Sequence, residues 1–74
     1  MSTPAIHTVP AGDGWANKRE GVSTALSQHD TKEAAVAAGR EQAMQDEAEH
    51  IIHNQDGTIS ERNSYGHDPR SSKG

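Results

Sequence analysis

The period of apolar and polar positions along the chain changes twice. Near the start, Ile6, Thr8 and Val9 form a short β-branched segment that ends at Pro10. Ala11-Gly12-Asp13-Gly14 follows, a cluster of residues suited to a tight turn. Residues 15–20 read as a second strand, with Trp15 and Asn17 on one face and Ala16, Lys18 and Glu20 on the other. Glu20-Gly21 marks another turn, and residues 22–28, rich in Ser and Thr, form a third, weakly patterned strand. Two turns at this spacing predict a meander of antiparallel strands.

The pattern then becomes helical. Asp30 or Thr31 can cap an Ala-rich run that ends near Glu47, and with Asp30 as the cap Glu33 completes a capping box. Ala35, Gly39 and Ala43 fall on one side of this helix, with Val36 beside them. That side is small and smooth, so the helix can approach a sheet closely. Gly39 costs about 1 kcal/mol relative to Ala unless close packing compensates. Residues 49–53 return to strand character through Ile51 and Ile52, and Asn54-Gln55-Asp56-Gly57 carries the Asp-Gly signal of a hairpin. Residues 58–62 make the return strand.

The predicted order is β-β-β-α-β-β, an α+β domain of two layers. An antiparallel sheet carries one helix on one face. Ile6, Trp15, Val36 and Ile59 are the expected core, joined by Ile51 or Ile52 but not by both on the same face. Residues 1–4 form a disordered start, 5–66 the domain and 67–74 a polar, flexible tail.

Composition narrows the picture. In 74 residues, 30% are hydrophobic, with one Trp, one Tyr and no Phe, which makes a thin core. The lack of Cys excludes a disulfide scaffold, a thiolate zinc site and a Cys nucleophile. No apolar run reaches the roughly 18 residues of a membrane span, and no secretory leader pattern opens the chain, so a cytoplasmic protein is expected. The net charge of −4 disfavours a nucleic-acid partner, and only Lys18 and Arg19 are adjacent among the basic residues.

Candidate chemistry is sparse. Five histidines are present, but His50 and His53 fall on opposite faces of a strand, and all five are expected at the surface. No metal site is expected. No Gly-x-Ser-x-Gly elbow occurs. Gly12-Asp13-Gly14 joins strands and lacks the Lys-Ser/Thr of a phosphate loop. Neither a catalytic residue nor a cofactor is expected, and the chain reads as a non-enzyme.

The segments Gly12-Asp13-Gly14-Trp15-Ala16, Lys18-Arg19-Glu20-Gly21, His29-Asp30-Thr31, Ile52-His53, Asp56-Gly57 and Ser64-Tyr65-Gly66-His67-Asp68-Pro69 stand in this order along the chain. In combination they resemble the bacterial domain-of-unknown-function family 2188, a set of small uncharacterised bacterial proteins. The resemblance implies a bacterial origin and no particular activity. Asn17 and Gln42 stand where that family tends to have apolar residues, which implies a still thinner core. A weaker similarity, through Trp15 and Thr31-Lys32-Glu33-Ala34, is to the arm-binding domains of phage integrases, which read DNA with a sheet. The basic residues usual in the middle strand of such domains are missing here.

The functional expectation is a protein-interaction or accessory module with no chemistry of its own, related to stress or carried by a mobile genetic region. Its partner is another protein or a second copy. The alternative is a nucleic-acid-binding module using the sheet face, with Lys18, Arg19 and Arg62 as phosphate contacts. Trp15 and Tyr65 are the remaining candidate contact residues, each with a competing reading as a core residue.

Overall fold

The computed structural model describes residues 4–65. Strands β1 (Ile6–Ala11), β2 (Gly14–Arg19) and β3 (Ala25–His29) precede helix α1 (Lys32–Asp46), and β4 (Glu49–His53) and β5 (Ile59–Ser64) follow it. They form one five-stranded sheet in the order β3-β2-β1-β4-β5, with the helix on one face.

The sheet is mixed, which corrects the antiparallel expectation. β1–β2, β2–β3 and β4–β5 are antiparallel, but β1 and β4 are parallel. The reason lies in the connection. A meander makes β1 and β3 run the same way. The helix then carries the chain back across β2 and β1, so β4 starts from the same end as β3 and lies parallel to β1.

Thr31 caps the helix, its hydroxyl oxygen accepting from the Ala34 N–H at 3.1 Å. At the other end Glu47 takes a left-handed conformation with φ 53°, and the Ala48 N–H donates to the Ala43 carbonyl at 2.8 Å. Glycine usually fills such a position, because a Cβ is strained there.

Ala35, Gly39 and Ala43 are the buried line of the helix, as their spacing predicts. Ile6, Ala43 and Ala48 form an apolar cluster at one end of the layer interface, and Trp15 is buried toward the other. Ile51 and Ile52 are both buried, on opposite faces of β4 as the alternation predicts, so only Ile52 joins the helix-side core. Ile51 lies on the face away from the helix, between His7 of β1 and Arg62 of β5 in register. Ile59 is 50% exposed and is not a core residue. It begins the edge strand β5, beyond the reach of the helix. Val36 is half-buried, one step off the helix's contact line.

Gly39 presses directly on the sheet. A Cβ there would stand 2.5 Å from Asn17 Oδ1, 2.7 Å from His50 Nε2 and 2.8 Å from Thr8 Oγ1. Three polar atoms already hydrogen-bonded to one another have little room to yield. Gly39→Ala should therefore destabilise the fold by about 1–3 kcal/mol, although intrinsic helix propensity alone favours Ala by about 1 kcal/mol. Glu47→Gly should stabilise it by about 1 kcal/mol, through relief of the left-handed strain. Urea denaturation of both variants checks the pair of signs, and a more stable Gly39→Ala protein would contradict the close packing.

Candidate functional site

The middle of the layer interface is polar. Thr8 of β1, Asn17 of β2 and His50 of β4 are buried beneath Gly39. The Thr8 hydroxyl donates to Asn17 Oδ1 at 2.5 Å, and its oxygen faces His50 Nε2 at 2.7 Å. With the hydroxyl hydrogen committed to Asn17, His50 must be the donor, as the Nε2–H form. Asn17 Nδ2 donates to the Ala35 carbonyl at 2.9 Å and to Ser27 Oγ at 3.2 Å. Ser27 Oγ in turn lies 2.9 Å from His29 Nε2. Asn17 therefore ties β1, β2, β3 and the helix backbone together.

Burial pushes the His50 pKa down, and the Arg40 charge adds to the effect. His50 was expected at the surface; its placement in this network corrects that. Its separation from His53 onto opposite faces follows the strand alternation.

The sequence-predicted contact residues lie apart. Trp15 is 9% exposed on the helix face, with the Lys32 ammonium 5.2 Å from its ring centroid. Tyr65 is half-buried against Ile6, Ala43 and Ala48, and its N–H donates to the Ala48 carbonyl at 3.1 Å. Arg19 turns to the helix side and donates to Asp46 Oδ2 at 2.6 Å, while Gln42 donates to Oδ1 at 3.1 Å. Its hydrogen bond holds the Asp46 carboxyl below the usual range, against some opposing burial. Lys18 and Arg62 are on the open face, but on β2 and β5, which are three strand spacings or about 14 Å apart. Arg62 also lies 3.9 Å from Glu49. Lys18, Arg19 and Arg62 thus do not form one basic patch.

A groove of about 480 Å³ lies between the β1–β2 turn and the helix start, lined in part by Asp13, Trp15, His29 and Asp30. Gly14 also lines it, and a Cβ there would collide with the His29 carbonyl oxygen. Two carboxylates at its rim make it a poor cradle for phosphate. Among the described residues, no group of three or more His, Asp or Glu side chains is placed to hold a metal ion. No described helix is long and apolar enough to cross a membrane.

Sequence reasoning missed the Thr8–Asn17–His50 network. The available signal was Gly39 itself: a glycine on the buried line of a helix marks something close beneath it. Asn17, on the same face as Trp15, was the second sign.

These features define a small α+β domain, a five-stranded mixed sheet under one closely packed helix. Over residues 6–65 the chain matches the family described as an uncharacterized protein conserved in bacteria (DUF2188), and it belongs to that family. No curated protein and no solved structure gives a significant match.

Two outcomes follow from the network. Thr8→Val keeps the shape but leaves Asn17 Oδ1 and His50 Nε2 without a partner, and should cost about 2–4 kcal/mol in urea denaturation. A cost below about 0.5 kcal/mol would show the network to be idle. The pH dependence has a definite sign. His50 binds its proton less readily folded than unfolded, so the unfolded chain takes up more protons below the ordinary value of 6.5. Stability should fall as pH drops from about 7 to about 5, and fall again below the ordinary Asp value of 3.8 as Asp46 loses its ion pair. Denaturation across this range checks the direction; flat stability would contradict it.

Proposed function

We propose that the protein is a non-enzymatic interaction module of the bacterial cytoplasm, which binds an extended segment of a partner protein along the β3 edge of its sheet. One observation carries this reading: residues 21–28 contain no charged side chain, and the last four of them belong to β3, which pairs with a described strand on one side only. Within that stretch Val22 is 48% and Leu26 39% exposed. An edge strand offers unpaired backbone groups to another chain, and such edges are usually guarded by charge. The opposite edge, β5, carries Glu61 and Arg62.

The β2–β3 register shifts at Asn17/Lys18, so β3 is bulged near Leu26. A bulge interrupts long sheet growth while leaving Leu26 free for contact. That suits recognition of a short segment better than open-ended aggregation. The scattered basic residues and the charge of −4 favour this reading over the nucleic-acid alternative.

Capture of the tagged protein's partners from a bacterial lysate, with nuclease added, tests the proposal. The wild type and an Ile59→Lys control on the other edge should retain the same stoichiometric protein, and Leu26→Lys should lose it by at least about tenfold. Retention by Leu26→Lys would overturn the β3 edge as the contact. Material that disappears with nuclease would favour the nucleic-acid reading instead.

A further inference from the structure

The groove between the β1–β2 turn and the helix start lies where the β3 edge ends. Gln28 and His29, the last residues of β3, form one side of it, and Asp30 follows directly. Ala11 and Trp15 supply apolar wall. Its volume of about 480 Å³ falls within the range of ligand sites. A strand laid along β3 and continued past His29 reaches the mouth of this groove.

The carboxylates at the groove are not neutralised by the chain itself. Asp46 is paired with Arg19, and Asp56 accepts from Thr58, whereas among the described residues Asp13 and Asp30 take part in no ion pair. Lys32 lies over the Trp15 ring, 5.2 Å from its centroid, rather than against either carboxylate. The wall of the groove therefore already accommodates one cation. An apolar wall with carboxylates at the mouth matches a side chain with a long aliphatic stem and a cationic head. An anionic group would meet two like charges there, and a wholly apolar one would strip water from both carboxylates without replacing it. The other end of β3 differs. Ala25 pairs with Lys18 there, so the same cation would meet like charge.

We infer that the groove is the specificity pocket of the β3 edge and takes a lysine or arginine side chain of the partner's extended segment. This rests on the proposed edge contact and adds to it the chemistry that selects the partner. Leu26 stands four positions before Asp30, or ~13 Å along an extended chain. The partner segment therefore carries an apolar residue against Leu26 and a basic one three or four positions away, at the end over the groove. Main-chain pairing with β3 supplies affinity and is indifferent to sequence, while these two side chains supply the choice. The net charge of −4 attracts the same kind of segment at longer range.

Selection of displayed random peptides on the immobilised protein, followed by anisotropy titration of the retained sequences, tests the pocket. Retained peptides should pair an apolar residue with Lys or Arg at the stated spacing, and Leu26→Lys should lose them. Exchange of the basic residue for Gln in the peptide should weaken binding about three- to tenfold. Asp13→Asn combined with Asp30→Asn should weaken it as much, and should make the protein indifferent to that exchange. Lys32→Gln, which removes the chain's own cation from the wall, should tighten binding about twofold, a gain that damage to the fold cannot produce. Peptides that are lost with Leu26→Lys but are indifferent to the Gln exchange would overturn the pocket and leave the edge contact standing. Peptides that ignore Leu26→Lys, or a selection that retains none, would overturn both. Retained peptides with Asp or Glu at the stated spacing would overturn the pocket. Should the double Asn variant fail to fold, the Gln exchange and Lys32→Gln decide the matter.

Discussion

The contact of Gly39 with Thr8, Asn17 and His50 is the constraint on which the rest of the structure depends. It sets the distance between helix and sheet, because no side chain intervenes at that point. Once the distance is short, large residues no longer fit along the interface, and Ala35 and Ala43 continue the contact on either side. Apolar burial then lies around this centre, with Trp15 at one end, Ile6, Ala43, Ala48 and Tyr65 at the other, and Ile52 beside Thr8 on the neighbouring strand. A chain with 30% hydrophobic residues can fill a space of that shape. The centre is held by hydrogen bonds, which require matched donors and acceptors and so specify one arrangement more sharply than apolar contact does.

The same centre reaches the topology. Asn17 binds the helix backbone to β2 and β3, while His50 binds β4 to β1 through Thr8. Those two links join the N-terminal meander to the element that crosses it and to the strand that returns beside it. The parallel seam is short, and side chains on both faces supplement its backbone pairing. The uncharged edge at β3 lies at the far end of this scaffold, where the helix, through Ala35, also anchors the inner face of the strand pair.

Much of the fold was legible in local sequence. The turn cluster at residues 11–14, the Asp-Gly hairpin, the capped Ala-rich helix and its buried line each depend on residues close in the chain. Membership of the family followed from motifs spread over the same span. The direction of β4 was not legible, because the contacts that record it join residues such as His7 and His53, 46 positions apart. Ile59 shows a related limit. Alternation tells which residues share a face, but not whether the helix extends over that part of the sheet. Asn17 read as a loss to the core because polarity was weighed without its partners, which come from three other elements. The candidate contact residues dispersed for the same reason: Arg19 finds Asp46 and Tyr65 finds Ala48 only after the helix has docked.

The direct measurement of the central claim is the tautomer and charge of His50, read from its two ring-nitrogen shifts near neutral pH. The polar centre requires a neutral ring with hydrogen on Nε2, donated to Thr8, and a ring that stays neutral to lower pH than a free imidazole. A ring protonated on Nδ1 alone, or one that is already an imidazolium at neutral pH, would contradict the account of how the helix is seated.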